Sequence, residues 1–275
     1  MVDADTFLLV LYVLVDDFCK AHLAPEARPG PAAALSRSGV VALAVFGQWG
    51  VFRSERGFYR YARRRLRDAF PTLPDRSQFN RLQRAHRGAI AAVFLHLAER
   101  LGAAAAPYEA LDGSAVPTRN ATRRGGGWLD GQADIGWSNS LGWYEGVLLL
   151  TAVTPEGVLT GFGVGPASAR DHQLAEAFLA ARRRPDPRLP TVGAPAAGPY
   201  AADKGFEGRD HHARWRGAYG AEVINPPKRN SRQPWPKALR RWLAGVRQIV
   251  ETVYAKLHDA FRLRAERPLS ISPES

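Results

Sequence analysis

Residues 143–165, WYEGVLLLTAVTPEGVLTGFGVG, constrain the fold more than any other stretch of this chain. WYEGVLLLTAVT has the β-branched and aliphatic content of a buried strand. Pro155-Glu156-Gly157 is a turn, and VLTGFGVG returns as its hairpin partner. The flanking sequence supplies more strands. YEALDG is a short strand ending in a carboxylate, PYAAD is another, and AEVINPP a third. Helical patterns separate them: DHQLAEAFLAARRR, FEGRDHHARWRGAYG and a long final helix from Pro236 to Leu263. Residues 119–140 and 185–198 read as loops, the first rich in Gly, Arg and Trp and the second in Pro and Gly. The order strand, hairpin, helix, strand, helix, strand, helix predicts a mixed α/β layer.

Residues 1–105 have a different texture and read as helical. Ser36 is placed to cap SGVVALAVFGQW, and Ser54 to cap the arginine-rich SERGFYRYARRRLRDAF. DRSQFNRLQRAHRGAIAAVFLHLAERLG follows as one long amphipathic helix. Two helices around a short Pro-containing turn, rich in Arg and Tyr, suit a DNA-docking element. A helical bundle with solvated arginines fits the same pattern.

The charge balance narrows the partners. The 275 residues carry a net charge of +12, which favours a polyanion and makes nucleic acid the default. Arginine supplies nearly all of it; lysine occurs only at Lys20, Lys204, Lys228, Lys237 and Lys256. Arginine's planar fork suits phosphate, although a GC-rich genome gives the same bias. Cys19 is the sole cysteine, so intramolecular disulfides and cysteine-based zinc fingers are excluded. FLLVLYVLV at 7–15 is too short to span a bilayer and lacks the basic flank of a signal peptide, so the expected compartment is the cytoplasm.

Two aspartates are expected at strand carboxyl ends, where open α/β sheets collect functional groups: Asp112 and Asp203. Each is followed within two residues by glycine. Alone, Asp-Gly and Asp-Lys-Gly are ordinary turn chemistry. The final helix adds a third carboxylate. Leu239, Leu243, Val246, Val250, Val253 and Leu257 form its expected core stripe. Arg240, Arg247, Glu251, Tyr254 and His258 form a second stripe at the rim. Glu251 could equally pair with Arg247 one turn back. As a set, the three carboxylates have the composition that hard divalent cations use in phosphodiester chemistry. Other polar clusters are weaker. Asp210-His211-His212 falls on a helix, where adjacent positions diverge, and Asp171 reads as a helix N-cap.

At these residues the chain resembles bacterial insertion-sequence transposases with a DDE triad, most closely the insertion-sequence family nine-eighty-two. VLVDDFCK, LDGSAVPTRN, GWYEGVLLLTAV, ADKGFEG and RQIVETVYAKLHDAF occur in that family's order over residues 8–264. The resemblance implies an α/β, RNase H-like (retroviral-integrase-like) mixed sheet flanked by helices. It implies a helical DNA-binding region at 1–105, a catalytic domain at 106–264 and an aberrant or disordered tail at 265–275. Asp112, Asp203 and Glu251 match the catalytic, metal-binding triad, holding two Mg²⁺ or Mn²⁺ ions. Arg247 matches the usual basic residue four before the glutamate, and His258 stands where lysine is usual. Arg119, Arg123, Arg124, Lys204, Lys228, Arg229, Arg232, Arg247 and His258 are the expected DNA contacts, with Trp128, Trp137, Trp143 and Trp235 available for stacking.

The implied activity is DNA cleavage and strand transfer on terminal inverted repeats and target DNA, by a homo-oligomer assembled on double-stranded DNA at the nucleoid. The tail RLRAERPLSISPES does not resemble the further helix with which members continue, which implies a truncated copy. An inactive descendant that only binds DNA, or an RNase H-like cellular nuclease, would carry the same motifs.

Overall fold

The computed structural model describes residues 3–26, 33–49, 52–119, 129, 131–183, 191–193, 198–227, 235–261 and 263. The chain divides into two compact units, Met1–Leu97 and Ala98–Ser275.

The first unit is helical. Its elements are α1 (Ala4–His22), α2 (Arg37–Phe46), α3 (Glu55–Arg65), α4 (Arg76–Ala85) and α5 (Arg87–Arg100), the last running across the boundary. Side-chain oxygens start four of them. Asp3 accepts from the Asp5 and Thr6 amides, Ser36 from Gly39, Ser54 from Gly57 and Asp75 from Gln78. Phe46, Phe52 and Phe58 pack edge to face at the centre of the core, with centroids 5.2–6.2 Å apart. On α3, Arg56, Arg60, Arg63 and Arg64 are exposed. The long helix expected over DRSQ…AERLG is two helices. His86 breaks it with φ −101° and ψ 15°, its ring buried and its Nε2 3.5 Å from Glu26.

The second unit is built on one mixed sheet. Its strands are β1 (Glu109–Arg119), β2 (Asp134–Ser138), β3 (Gly142–Val153), β4 (Leu159–Pro166), β5 (Thr191–Gly193), β6 (Pro199–Ala202) and β7 (Glu222–Ile224). The described order is β5-β4-β3-β1-β6-β7, with β2 also paired to β3. β3 and β4 form the expected hairpin, and β3 pairs antiparallel with β1. β6 and β7 run parallel to β1. Helices α6 (Asp171–Arg183) and α7 (Arg209–Tyr219) cover one face through Leu174, Phe178 and Trp215. Helix α8 (Lys237–Ala255) covers the other through Leu243, Val246, Val250 and Tyr254. No described helix is long and apolar enough to cross a membrane.

Four expectations for this unit need correction. The strand at YEALDG does not stop at Asp112. It continues to Arg119 because β3 pairs with it as far as the bulge at Pro117/Arg119. The loop expected at 119–140 contains β2, and that expected at 185–198 contains β5. The final helix is α-helical only to Ala255 and closes with one π turn, Lys256–Ala260. Its buried face is also rotated from the expected one. Leu239 is exposed, whereas Tyr254 and His258, expected at the rim, are buried.

Candidate active site

Three elements, β1, β6 and α6, bring three aspartates together. Leu111 and Ala202 are the last paired residues of the parallel β1/β6 ladder, so Asp112 and Asp203 follow side by side on neighbouring strands. Such strands lie about 4.8 Å apart. β6 ends at Ala202, and Asp203 then turns the chain by accepting from the Gly205 amide at 2.6 Å. Asp112 Oδ1 accepts from the Gly113 amide at 2.9 Å.

Asp171 is a carboxylate beside the expected pair that the sequence reading took only for a helix N-cap. It is the first residue of α6 rather than a cap. Its carboxylate lies against two glycines: a Cβ on Gly205 would stand 2.2 Å from Asp171 Oδ2, and one on Gly113 would stand 3.0 Å from Oδ1. The Gly205 Cβ would also meet Asp203 Oδ1 at 3.0 Å. The two glycines beside the expected aspartates thus make room for a third carboxylate. Glycine after both Asp112 and Asp203 was the available signal, but it did not name the group it served.

The electrostatics agree with this placement. Burial, followed by the Asp203 charge, pushes the Asp112 carboxyl up to about 7; the Gly113 amide and Arg247 pull it back, and Asp171 adds to the rise. Burial and the Asp203 charge push Asp171 up to about 6. Like charges held together in a half-dry pocket resist ionising, and a cation would relieve them.

The frame that holds these groups is polar and buried. Arg182 of α6 makes a bidentate pair with Glu109 of β1, at 2.6 and 3.1 Å, and its Nη1 donates to Tyr200 Oη of β6 at 3.0 Å. Glu109 and Tyr200 each stand three residues before an aspartate of the pair. The knot therefore fixes the three elements that carry Asp112, Asp171 and Asp203. From the opposite face, Tyr254 Oη of α8 donates to the Asp112 carbonyl oxygen at 2.5 Å and accepts from Thr151 Oγ1 at 2.9 Å. On the outer side of α6, Glu176 binds Arg214, Trp215 and Tyr219 of α7. The Arg214 guanidinium holds it well below the usual range, at about 2.

The remaining expected residues divide. Glu251 is exposed on α8, one position beyond the buried Val250. Among the described residues, no group of three or more His, Cys, Asp and Glu side chains stands in position to share an ion. Arg247 is exposed, and its charge reaches Asp112; Lys204 is exposed beside Asp203. His258 is not at the surface where a phosphate contact was expected. It is buried, with Nε2 3.0 Å from Ser114 Oγ, because α8 rolls that edge onto β1. The Arg119 side chain and residues Arg123, Arg124, Trp128, Lys228, Arg229 and Arg232 lie outside the described residues, as does 265–275. Asp210 is exposed on α7. His211 stacks on His172 at 4.6 Å, and His212 Nε2 is 2.8 Å from the Phe206 carbonyl oxygen.

No protein-family model matches the chain, and no curated protein or solved structure matches it either.

Proposed function

We propose that this chain is an insertion-sequence transposase of the DDE type, cleaving DNA and joining its 3′ ends to a target in a divalent-metal-dependent reaction on an RNase H-like sheet. The observation that carries the reading is the adjacency of Asp112 and Asp203 on parallel strands β1 and β6. Their separation of 91 residues in sequence fits the order in which the resembling motifs occur. Further support comes from the mixed sheet flanked by helices, and from a glutamate-bearing helix tied to Asp112 through Tyr254.

In residue type these donors suit Mg²⁺ or Mn²⁺, and an ion would have to draw their side chains into one coordination sphere. The set is all oxygen, it carries mutually repelling charge, and Gly113 and Gly205 leave the space that side chains would fill. Asp112 and Asp203 would hold the ions, with Asp171 beside them and Glu251 contributed from α8. Divalent ions held there would supply activation of the attacking oxygen and stabilisation of the leaving 3′-oxygen. The chain's own groups do the rest. Tyr254 and the Arg182–Glu109–Tyr200 knot hold the aspartate backbones in register. Arg247 and Lys204, exposed at the rim, receive the phosphate backbone. Water attacks phosphorus in the first step and the P–O3′ bond breaks, leaving a 5′-phosphate and a 3′-hydroxyl; in the second that hydroxyl attacks a target phosphate and the target's own P–O3′ bond breaks, its 3′-oxygen leaving as a hydroxyl.

The test is Mg²⁺- or Mn²⁺-dependent nicking of DNA carrying the element's terminal repeats, followed by strand transfer of a precleaved end. Asp203→Ala should abolish both. Equal nicking by the variant removes the assignment. DNA binding without nicking by either protein identifies an inactive DNA-binding descendant, and nicking without strand transfer identifies a nuclease.

A further inference from the structure

Strands β2 and β3 form a hairpin whose two faces differ. Gly136 presses one face onto the segment after β4: a Cβ there would stand 2.2 Å from the Ala167 carbonyl oxygen. Asp134 accepts from the Ser168 amide at 2.8 Å and from the Ser168 hydroxyl. On the other face Glu145, the register partner of Ile135, is buried, and the indoles beyond it are exposed. Trp137 and Trp143 sit directly opposite one another in the antiparallel register and are 59% and 68% exposed. Their rings meet edge to face, with centroids 5.6 Å apart. Ile135 and Leu141 extend the patch. Trp215, by contrast, is buried in the core, and Trp235 and Trp242 pack against the α8-side core.

We propose that Trp137 and Trp143 form a stacking platform for unpaired DNA bases. This rests on the nucleic-acid reading above and adds the form of DNA and the place where it is held. An exposed indole pair is costly to leave in water, so it needs an occupant. The two indoles offer roughly 300 Å², well short of the ~800 Å² per partner of a stable protein interface. A flat, π-faced ligand of base size fits that area. The chain's charge of +12 draws a polyanion rather than an apolar protein. In a duplex the base faces are covered by their neighbours, so only an unstacked base can lie on an indole.

The platform is rigidly coupled to the aspartates. The segment that clamps the hairpin through Ala167 and Ser168 runs directly into Asp171. Trp143 lies eight residues along β3 from Thr151, the register partner of Asp112. At strand rise that is roughly 27 Å, the length of about eight base pairs of duplex DNA. The bases held there flank the cleaved phosphate and do not include it.

The experiment compares the full chain with Trp137→Ala/Trp143→Ala and with Trp137→Phe/Trp143→Phe. Fluorescence anisotropy reads affinity for a single-stranded oligonucleotide and for the duplex of the same sequence over a range of salt. The alanine pair should bind the single strand at least about tenfold more weakly. Duplex affinity and the salt slope should stay unchanged, because no phosphate contact is lost. The phenylalanine pair should retain most of the single-strand affinity. Unchanged single-strand binding by the alanine pair overturns the platform and leaves the transposase reading standing. A shift from dimer to monomer on sedimentation, with single-strand binding intact, also overturns it by assigning the patch to a second copy. If wild type binds neither DNA, the platform and the functional reading fall together.

Discussion

The Tyr254 hydroxyl of α8 donates to the carbonyl oxygen of Asp112 on β1 at 2.5 Å and accepts from Thr151 of β3 at 2.9 Å. One buried phenol thus joins the helix to the strand at the level of Asp112. Tyr254→Phe leaves the Asp112 carbonyl and the Thr151 hydroxyl without this partner. The expected cost is about 1–3 kcal/mol in urea denaturation. Metal-dependent nicking should fall further than the lost stability explains, because the Asp112 backbone loses its tether. An equal loss of folded fraction and nicking rate would reduce Tyr254 to a structural role.

The carboxyl of Asp112, raised to about 7 from an ordinary 3.8, makes stability depend on pH with a defined sign. Between those values the folded protein holds a proton that the unfolded chain has released. Stability therefore falls as pH rises through that window, and the penalty is complete above pH 7. At about 1.4 kcal/mol per pH unit it reaches up to about 4 kcal/mol. Asp112→Asn should be more stable than wild type by about 2–4 kcal/mol at pH 8 with EDTA, and equal to it at pH 4. Denaturation midpoints at the two pH values check this. A pH-independent difference would mean that Asp112 is not held protonated in the fold.

Gly205 and Gly217 make an internal comparison. A Cβ at Gly205 would stand 2.2 Å from an Asp171 oxygen, whereas one at Gly217, within α7, meets nothing within 4 Å. Gly205→Ala should displace Asp171 and Asp203 and weaken Mn²⁺ binding, read by calorimetry, by at least about tenfold, ~1.4 kcal/mol. Gly217→Ala should leave Mn²⁺ binding unchanged and stabilise the fold by roughly 0.5–1 kcal/mol.

The Arg182–Glu109 pair is buried, with side chains 2% and 14% exposed. Glu109→Ala removes the carboxylate from a guanidinium that stays in the core. The expected destabilisation is about 3–5 kcal/mol. Glu109→Met/Arg182→Met should recover most of it, as apolar replacement of a whole buried pair often does. A double variant no better than the single would mean that Tyr200 and the Arg182 stem carry the site.

The parts of the fold with strong local signals were legible in the sequence. Ser36 and Ser54 begin helices where they were expected, and the β3–β4 hairpin turns through Pro155-Glu156-Gly157, the Gly157 amide donating to the Thr154 carbonyl oxygen. The parts set by tertiary neighbours were not. LDGSAVPTR has glycine, serine and proline in a row of poor strand formers, yet pairing with β3 keeps it extended. The break at His86 has no Pro to announce it, and Gly88 lies inside the helix that follows; a contact between the buried His86 ring and Glu26 accompanies the break. The sequence reading placed Asp112 and Asp203 at strand ends, but the pairing of β1 with β6 that makes them neighbours had no local signal. Asp171 had none either, because an aspartate at a helix start looks the same whether it faces water or two other carboxylates. His258 and Tyr254 were misplaced by a small rotation of α8, since one step on a helix wheel separates rim from core.

The short parallel ladder between β1 and β6 also orders events in time. Leu111 and Ala202 pair across 91 residues of chain, and only three residue pairs hold the ladder. Strands β3 and β4 close through a local turn and β1 reaches β3 across a segment that includes β2, whereas this pairing waits for a longer loop to close against its entropy. The aspartate pair is therefore among the last features to form as the chain leaves the ribosome. A nascent chain stopped before residue 203 contains the antiparallel strands but neither Asp203 nor the complete parallel ladder.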